Sequence, residues 1–447
     1  MKQNILVIGQ GGREHAIAWK ISKSPKVQKV FVCPGNAGTA LEKDIENIDI
    51  NISDINSLIN FVKTNNVILT IVGPEVPLVE GIVNKFFEHN LKIFGPTKEH
   101  SLLEGSKVFS KEFMINYDIP TAEYQMFSNQ DQAKAYVANK KHPIVIKADG
   151  LAAGKGVIVS SSVEESISAI DKLLNPDYSE FIVIEEFLSG QELSAIYICN
   201  YKGCSFEIGL PWTKDYKSRD EYNSGPNTGG MGAVSHPLSY EHKNEVYKLY
   251  LDIEKILVKT INGINDYNKK TNVKYLGFLY IGLMVDSTNK VKVLEYNCRM
   301  GDPETQNLML SLENQNFDFL EMIFNDPTIK IQDLNIENFN HNNRGYCCTI
   351  VLAAKGYPEE YKKGFYIDTN NVEESKTVKL FHAGTVLDDN RICTTGGRII
   401  TINVYAENQK EAVNLAYKNI KKIKIFEDKD MKIENNNLVF FREDIGN

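Results

Sequence analysis

The sequence contains no C-x-x-C pair, no H-E-x-x-H and no G-x-S-x-G. Zinc-ribbon, zinc-protease and serine-hydrolase chemistry therefore have no starting point in it. Its seven cysteines are odd in number and scattered, which argues for reduced thiols rather than a disulfide framework. The eight histidines show no ligand spacing and are expected to be structural. Basic residues are in deficit, 50 Lys+Arg against 58 Asp+Glu for a net charge of −8, so a nucleic-acid-binding surface is not expected. The longest apolar run of note, residues 275–285, falls far short of the roughly 20 residues that cross a bilayer. Residue 5 already lies in a strand pattern, so no signal peptide is expected. Against these absences stand 447 residues, 42% hydrophobic and 24% charged, enough for two to four globular domains.

Residues 4–8 form a short apolar run ending in a glycine-rich turn, and from 13 to 23 the period becomes helical, with Ile17 and Ile21 on one face. Strand patterns at 30–33, 67–72 and 91–94 each end in adjacent proline and glycine. Strands alternating with helical stretches predict βαβ units on a parallel sheet. The middle differs. Residues 144–147 and 157–159 are predicted strands joined by a glycine-rich connection, and 181–184 is another. Residues 277–285 and 291–295 are expected to pair antiparallel about a turn at 286–290. The Asn-rich stretch 335–343 is expected to be an exposed linker or loop, followed by strands near 349–352 and 398–404 and a helix over 409–422.

Five segments carry candidate chemistry. Gly9-Gln10-Gly11-Gly12-Arg13-Glu14 follows a strand as a dinucleotide fingerprint does, but Glu14 holds the third position, where its side chain is expected to obstruct helix–strand packing. The second strand ends in Cys33-Pro34 and offers no acid to a ribose, so nicotinamide binding is disfavoured. A glycine turn feeding a helix N-terminus, with Arg13 beside it, suits a phosphate; a plain tight turn with a surface arginine is the alternative. Residues 147–156 resemble a Walker A loop but have Asp149 for the first glycine and Gly156 for the Ser/Thr. Such a small-residue hairpin can instead close over phosphates, with Lys147 aimed at the same charge, or can stand without a ligand. Glu185, Glu186 and Glu192 surround a strand end that could cradle a nucleoside, with Glu192 at the ribose; exposed glutamates at a strand end are the alternative. Glu295 and Asn297 are two apart on a strand, share a face, and offer oxygens to Mg²⁺ bridging phosphates. Arg299, on that face if the strand continues, would neutralise a transferring phosphoryl group; an ordinary strand with an Asn-Arg turn is the alternative. Cys298 falls on the opposite face and is expected in the core. Residues 224–232 are dense in glycine where backbone would approach a ligand or form a lid.

Taken together, VIGQGGREHA (7–16), PGNAGT (34–39), IVGPEVPLV (71–79), LEGSK (103–107), PIVIKADGLAAGKGVIV (143–159), VIEEFLSGQE (183–192), GPNTGGMGA (225–233), EYNCRMGDPETQ (295–306) and TGGR (395–398) resemble the phosphoribosylamine–glycine ligase family of ATP-grasp enzymes. The resemblance runs over nearly the whole chain. It implies an α/β and α+β architecture: an open parallel α/β domain at 1–101, an ATP-grasp core at 102–330 with a mobile lobe at about 120–190, and a small α+β domain at 331–447. It implies a cytoplasmic, monomeric ligase of purine biosynthesis with small-molecule substrates and no nucleic-acid or membrane partner. ATP would phosphorylate the glycine carboxylate, and the amine of 5-phosphoribosylamine would attack the glycyl phosphate, giving glycinamide ribonucleotide, ADP and phosphate. Such a reaction needs positioning and charge neutralisation rather than a protein nucleophile.

By match, ATP would meet Lys107, Lys147, Gly154, Gly156, Glu185, Glu186, Leu188 and Glu192. Mg²⁺ or Mn²⁺ would sit on Glu295 and Asn297, and Arg299 and Lys147 would be catalytic. Phosphoribosylamine and glycine would meet Gly11, Gly12, Arg13, Glu14, Asn36, Glu75, Asp215, Asn227, Thr228, Gly229 and Asp302. One segment departs from the family: its common S-Q-D-H-K-R is here Thr213-Lys214-Asp215-Tyr216-Lys217-Ser218, which keeps only the Asp and the Lys.

Overall fold

In the computed structural model, residues 2–151, 156–200, 210–235, 243–324 and 345–447 are described. The expected contact of Gly154, the 335–343 linker and a domain boundary at 330/331 lie outside them. Strands β1 (Gln3–Gly9), β2 (Val27–Pro34), β3 (Ile45–Asn47), β4 (Val67–Val72) and β5 (Ile93–Phe94) form a parallel sheet in the order β3-β2-β1-β4-β5. β1 is a continuous apolar run because both its faces are covered. Leu6 and Ile8 belong to one core, Ile5 and Val7 to another, and all four are fully buried. The connecting helices are α1 (Gly12–Ser22), α2 (Ala37–Leu41), α3 (Ile55–Thr64), α4 (Glu75–Glu80) and α5 (Ile82–Glu88). Strand order reverses at β1, so a crevice opens at the carboxyl ends of β1 and β4, where ligands of open α/β sheets bind. Residues 9–14 and 73–75 line it.

Helices α6 (Leu102–Gly105) and α7 (Lys107–Asn116) lead into a four-stranded antiparallel sheet, β6 (Tyr124–Phe127), β7 (Ile144–Ala148), β8 (Val157–Ser160) and β9 (Ile182–Glu186), ordered β6-β9-β7-β8. Helices α8 (Gln130–Val137) and α9 (Val163–Leu173) pack against it. Ile144, Ile146, Ile182 and Ile184 meet Ala169, Ile170 and Leu173 in a core of their own, which makes this segment a separate lobe.

The central sheet takes β10 (Gln191–Cys199), β11 (Thr213–Asp215), β14 (Gly232–Ser235), β15 (Gly277–Val285), β16 (Val291–Asn297), β17 (Tyr346–Ala354), β19 (Val378–His382) and β22 (Arg398–Ala406), ordered β16-β15-β10-β11-β14-β17-β22-β19. Between these come the hairpin β12 (Ser218–Asp220) and β13 (Ser224–Asn227), and a sheet of β18 (Tyr366–Asp368), β20 (Thr385–Asp388), β21 (Arg391–Thr394) and β23 (Lys424–Phe426). Helices α10 (Lys243–Thr271), α11 (Glu304–Asn314), α12 (Phe319–Phe324) and α13 (Gln409–Ile420) complete the chain. The C-terminal strands thus extend the central sheet across the β14–β17 seam. Gly232 permits that seam, since a Cβ there would stand 2.7 Å from the Thr349 carbonyl oxygen.

Cys33, Cys298, Cys347, Cys348 and Cys393 are free, and Cys298 is in the core as expected. Cys199, at the end of β10, is disulfide-bonded, which corrects the expectation of reduced thiols throughout. Spacing along the chain does not report distance in space. Among the described residues no helix is long and apolar enough to cross a membrane.

Candidate active site

A pocket between the lobe and the central sheet is lined by Leu103, Lys107, Ser110, Lys111, Met114, Lys147, Glu185, Leu294, Glu295 and Tyr296. Its apolar side chains suit the faces of a base, and its three ammonium groups suit phosphates. Glu185 lies between two lysines, Oε2 3.0 Å from Lys147 Nζ and Oε1 3.3 Å from Lys111 Nζ. Lys111 is a residue the sequence reading missed. It is buried, donates to Thr121 Oγ1 at 2.8 Å and lies 5.4 Å from the Tyr124 ring. Burial brings its pKa down to about 8, against the pull of Glu185. A signal was available: Lys107 and Lys111 stand four apart on one helix and so share a face.

Asp149, which breaks the Walker pattern, accepts from Val108 N at 3.1 Å and Ser106 Oγ at 3.0 Å, capping α7 and fixing the residue beside Lys107. Gly156 accepts from Ala148 N at 2.8 Å and closes the base of the hairpin. Leu188 is half-buried in the connection to β10. Glu186, the residue after Glu185 on the strand, turns its side chain away from the pocket by strand alternation. Its carboxylate pairs with Lys292 and accepts from Glu123 N at 3.0 Å.

β16 sets Glu295 opposite Gly282 and Asn297 opposite Tyr280, so the two share a face as their spacing predicts. Burial works against the ionised form of Glu295, yet Lys217, Lys107, Lys147 and Arg299 hold its carboxyl at about 2. Lys217 Nζ lies 2.9 Å from Glu192 Oε2 and 3.6 Å from Glu295 Oε1. Among the described residues no group of three or more His, Cys, Asp or Glu could hold a metal alone. One ionised carboxylate and one amide oxygen fit a hard divalent cation whose shell is completed by nucleotide phosphates. Just beyond β16, Arg299 places Nε 3.2 Å from Glu75 Oε2 and Nη2 2.9 Å from Glu104 Oε1. Burial opposes its charge, but these carboxylates raise its pKa.

In the crevice the donors expected to be free are occupied. Glu14 Oε2 accepts from Gly11 N at 2.6 Å, and Asp302 Oδ2 accepts from Arg13 N at 3.3 Å. Arg13 gives Nε to Glu14 Oε1 at 2.7 Å and Nη1 to the Met300 carbonyl at 2.9 Å. Nor does Glu14 obstruct packing. It folds over Gly9 and Gly73, where an added Cβ would stand 2.4 and 2.2 Å from it. Gly12 likewise makes room for Gln306, whose Nε2 would be 2.4 Å from such a Cβ. Asn36 spends its Nδ2 on the Gln10 and His382 carbonyls, 2.8 Å each, while its Oδ1 accepts from Thr39 N at 3.1 Å. That amide ties the turn to β19, with its Nδ2 donors occupied by backbone carbonyls. Glu75, first residue of α4, is drawn below the usual carboxylate range by Arg299 and Arg13 although burial opposes it.

Asp215 ends β11. Burial and the Glu304 carboxylate push its pKa well above the usual range while Lys217 pulls it down, and its buried Oδ1 has no hydrogen bond among the described residues. The glycine-rich segment folds onto that strand's continuation, Thr228 N and Oγ1 donating to the Lys217 carbonyl at 2.7 and 2.8 Å. Asn227 is exposed. Gly229 N donates to the Tyr357 hydroxyl at 3.0 Å. Arg398, carried by the TGGR stretch but not singled out from it, lies against Gly229, where a Cβ would stand 2.9 Å from its Cζ. Its Nη1 donates to the Gly229 and Asp302 carbonyls at 2.5 Å each and lies 3.3 Å from Asp302 Oδ1. Asp302 thus joins the N-terminal turn to the C-terminal strands, and Arg398 and Arg13 lower its pKa against burial.

The departure at 213–218 has a structural account. Lys214 Nζ and Arg442 Cζ lie 4.7 and 5.2 Å from the Tyr216 ring, and the Tyr216 hydroxyl accepts from Gly446 N at 2.9 Å. Positions 214 and 216 hold the C-terminal tail, while the retained Asp215 and Lys217 point to the other side.

A lysine-lined pocket between an antiparallel lobe and a central sheet, beside a strand bearing a carboxylate and an amide, is the arrangement of an ATP-grasp ligase. Domain families described as the phosphoribosylglycinamide synthetase N domain, ATP-grasp (A) domain and C domain match residues 3–104, 105–305 and 347–447. The phosphoribosylamine–glycine ligase of Escherichia coli K12 is 43% identical over 419 residues, 92% of this chain and 93% of that one. The crystal structure of phosphoribosylamine–glycine ligase from Thermotoga maritima superposes with a TM-score of 0.77 at 32% identity, covering 99% of this chain and 100% of that one. A biotin carboxylase from Campylobacter jejuni shares the fold, with a TM-score of 0.69 at 16% identity over 95% of this chain and 92% of its own. The chain belongs to the phosphoribosylglycinamide synthetase family.

Proposed function

We propose that this site joins glycine to 5-phosphoribosylamine by way of a glycyl phosphate, ATP giving its γ-phosphoryl group to the glycine carboxylate to leave ADP, and the amine then displacing phosphate. The observation that carries the reading is Arg299, whose guanidinium stands between the nucleotide pocket and the crevice, touching Glu104 and Glu75. Lys107 and Lys147 neutralise the phosphates, with Glu185 holding Lys147 in place. Mg²⁺ or Mn²⁺, held by Glu295 and Asn297, would offset the charge of the β- and γ-phosphates. Arg299 meets the phosphoryl group as it leaves ATP for the glycine carboxylate. The unpartnered oxygen of Asp215 receives the glycine ammonium. The Nε/Nη2 edge of Arg398, which makes no hydrogen bond among the described residues, takes the 5′-phosphate of phosphoribosylamine and leaves its amine facing the acyl phosphate. Closure of the lobe over 120–190 excludes water from that intermediate. The enzyme acts as a cytoplasmic monomer.

Phosphate release with ATP, glycine and freshly generated phosphoribosylamine tests the reading, each being omitted in turn. Full release should require all three and yield glycinamide ribonucleotide by mass. Release that ignores glycine, or a product lacking the glycyl group, would overturn it.

A further inference from the structure

The buried carboxylate of Glu104 has no part in the assignments above. It lies in α6, 5% exposed, and both its oxygens go to one short segment beyond β16. Oε1 is 2.9 Å from Arg299 Nη2, and Oε2 accepts from Cys298 N at 2.7 Å. Pairing of β16 with β15 ends at Asn297 opposite Tyr280, so the sheet supplies no acceptor for the Cys298 amide. A buried amide without an acceptor is costly, and Glu104 provides what a further strand residue would have. The Cys298 thiol donates to the His100 carbonyl at 3.6 Å, on the same side of the segment. Glu75 holds Arg299 Nε at 3.2 Å from the opposite side, which leaves Glu104 to fix the other end of the guanidinium plane.

We propose that Glu104 is a positioning residue for phosphoryl transfer, setting Asn297 and Arg299 relative to the nucleotide through the Cys298 amide and the Arg299 guanidinium. The proposal rests on the ATP-dependent reading above. Both contacts need an acceptor. A glutamine keeps the volume and one acceptor but presents a donor to a donor at the other contact.

Kinetics of Glu104→Gln, Arg299→Ala and the double variant test it. Glu104→Gln should lower kcat by about 10²-fold, the scale of a small misplacement of a reacting group, with the KM for ATP changed by less than about threefold. In the Arg299→Ala background the same change should cost clearly less than in the wild type, because the Arg299 share of the effect is already gone and only the Cys298 share remains. An equal loss in both backgrounds, or a loss confined to the KM for ATP, overturns the proposal. Hydrogen exchange gives a readout that does not depend on the substrates. Glu104→Ala should speed exchange across residues 297–300 and leave β15 and the lobe at wild-type rates. If the wild type fails to consume glycine and phosphoribosylamine, the functional reading falls and exchange alone decides. Acceleration confined to 297–300 then retains Glu104 as the anchor of this segment; unchanged or global acceleration removes it.

Discussion

Arg299 carries two carboxylate contacts, and neither satisfies its charge in the way a phosphoryl group would. A planar guanidinium can hold two equatorial oxygens as charge moves from donor to acceptor, an interaction that strengthens in the transition state. Its loss should therefore fall on kcat rather than on nucleotide binding. Arg299→Ala is expected to lose roughly 10²-fold or more in kcat, the scale for one preorganised donor, and Arg299→Lys to recover part of that. Direct titration of nucleotide should change little; a variant that keeps its kcat would return Arg299 to a structural role. Two positions earlier, Asn297 is one of the two residues proposed to hold the cation. Asn297→Ala should shift the Mg²⁺ dependence of turnover to higher concentration. An unchanged titration would remove Asn297 from the metal.

At the scale of elements, the N-terminal and C-terminal parts meet where α2 ends against β19. Glu42, the residue capping α2, has Oε1 2.6 Å from Lys379 Nζ and 3.4 Å from His15 Nε2. Burial disfavours its ionised form, but His15 and Lys379 hold its pKa at about 2. A carboxyl with a depressed folded pKa stabilises fully above its unfolded value near 4.5, and that contribution is lost as pH falls toward the folded one. It is on the order of 2–3 kcal/mol. Urea unfolding of Glu42→Gln and wild type should differ by this amount near pH about 6, and the gap should narrow below pH about 4.5 and close only as pH approaches about 2. A gap that ignores pH would mean the contact works through packing alone. Which elements form was legible in the sequence wherever a period or a run reports it. The two-sided burial of β1 appears as an unbroken apolar run, and the i, i+2 spacing of Glu295 and Asn297 appears as a shared face. The direction of the Glu186 side chain was not legible, because alternation says that neighbours face apart but not which one faces the pocket. The engagement of the Asn36 amide was not either, since one of its partners is a carbonyl 346 residues away.

At the scale of the whole molecule, the crevice is assembled from three distant stretches that converge on Asp302: the turn at Arg13, the glycine-rich segment at Gly229, and β22 at Arg398. Before folding, Arg13 is the evident phosphate ligand, since it follows a glycine turn. Folding changes the weighting, because Arg13 gives Nε to Glu14 and Nη1 to Met300, whereas Arg398 commits Nη1 alone. A charge-assisted hydrogen bond is worth about 1.5–3 kcal/mol. Arg398→Ala should therefore reduce kcat/KM for phosphoribosylamine by roughly 10- to 10²-fold, with the KM for ATP nearly unchanged. Arg398→Lys separates the two duties of this side chain. Its ammonium can still reach the Asp302 carbonyl and hold the crevice together, but it cannot offer a fork to phosphate, so it should keep wild-type thermal stability while remaining impaired for phosphoribosylamine. Arg13→Ala should lower stability more than it raises the KM for phosphoribosylamine. If Arg13→Ala raises that KM and Arg398→Ala does not, the phosphate sits at the glycine turn, and ligand binding must first displace the Glu14 carboxylate from the Gly11 amide.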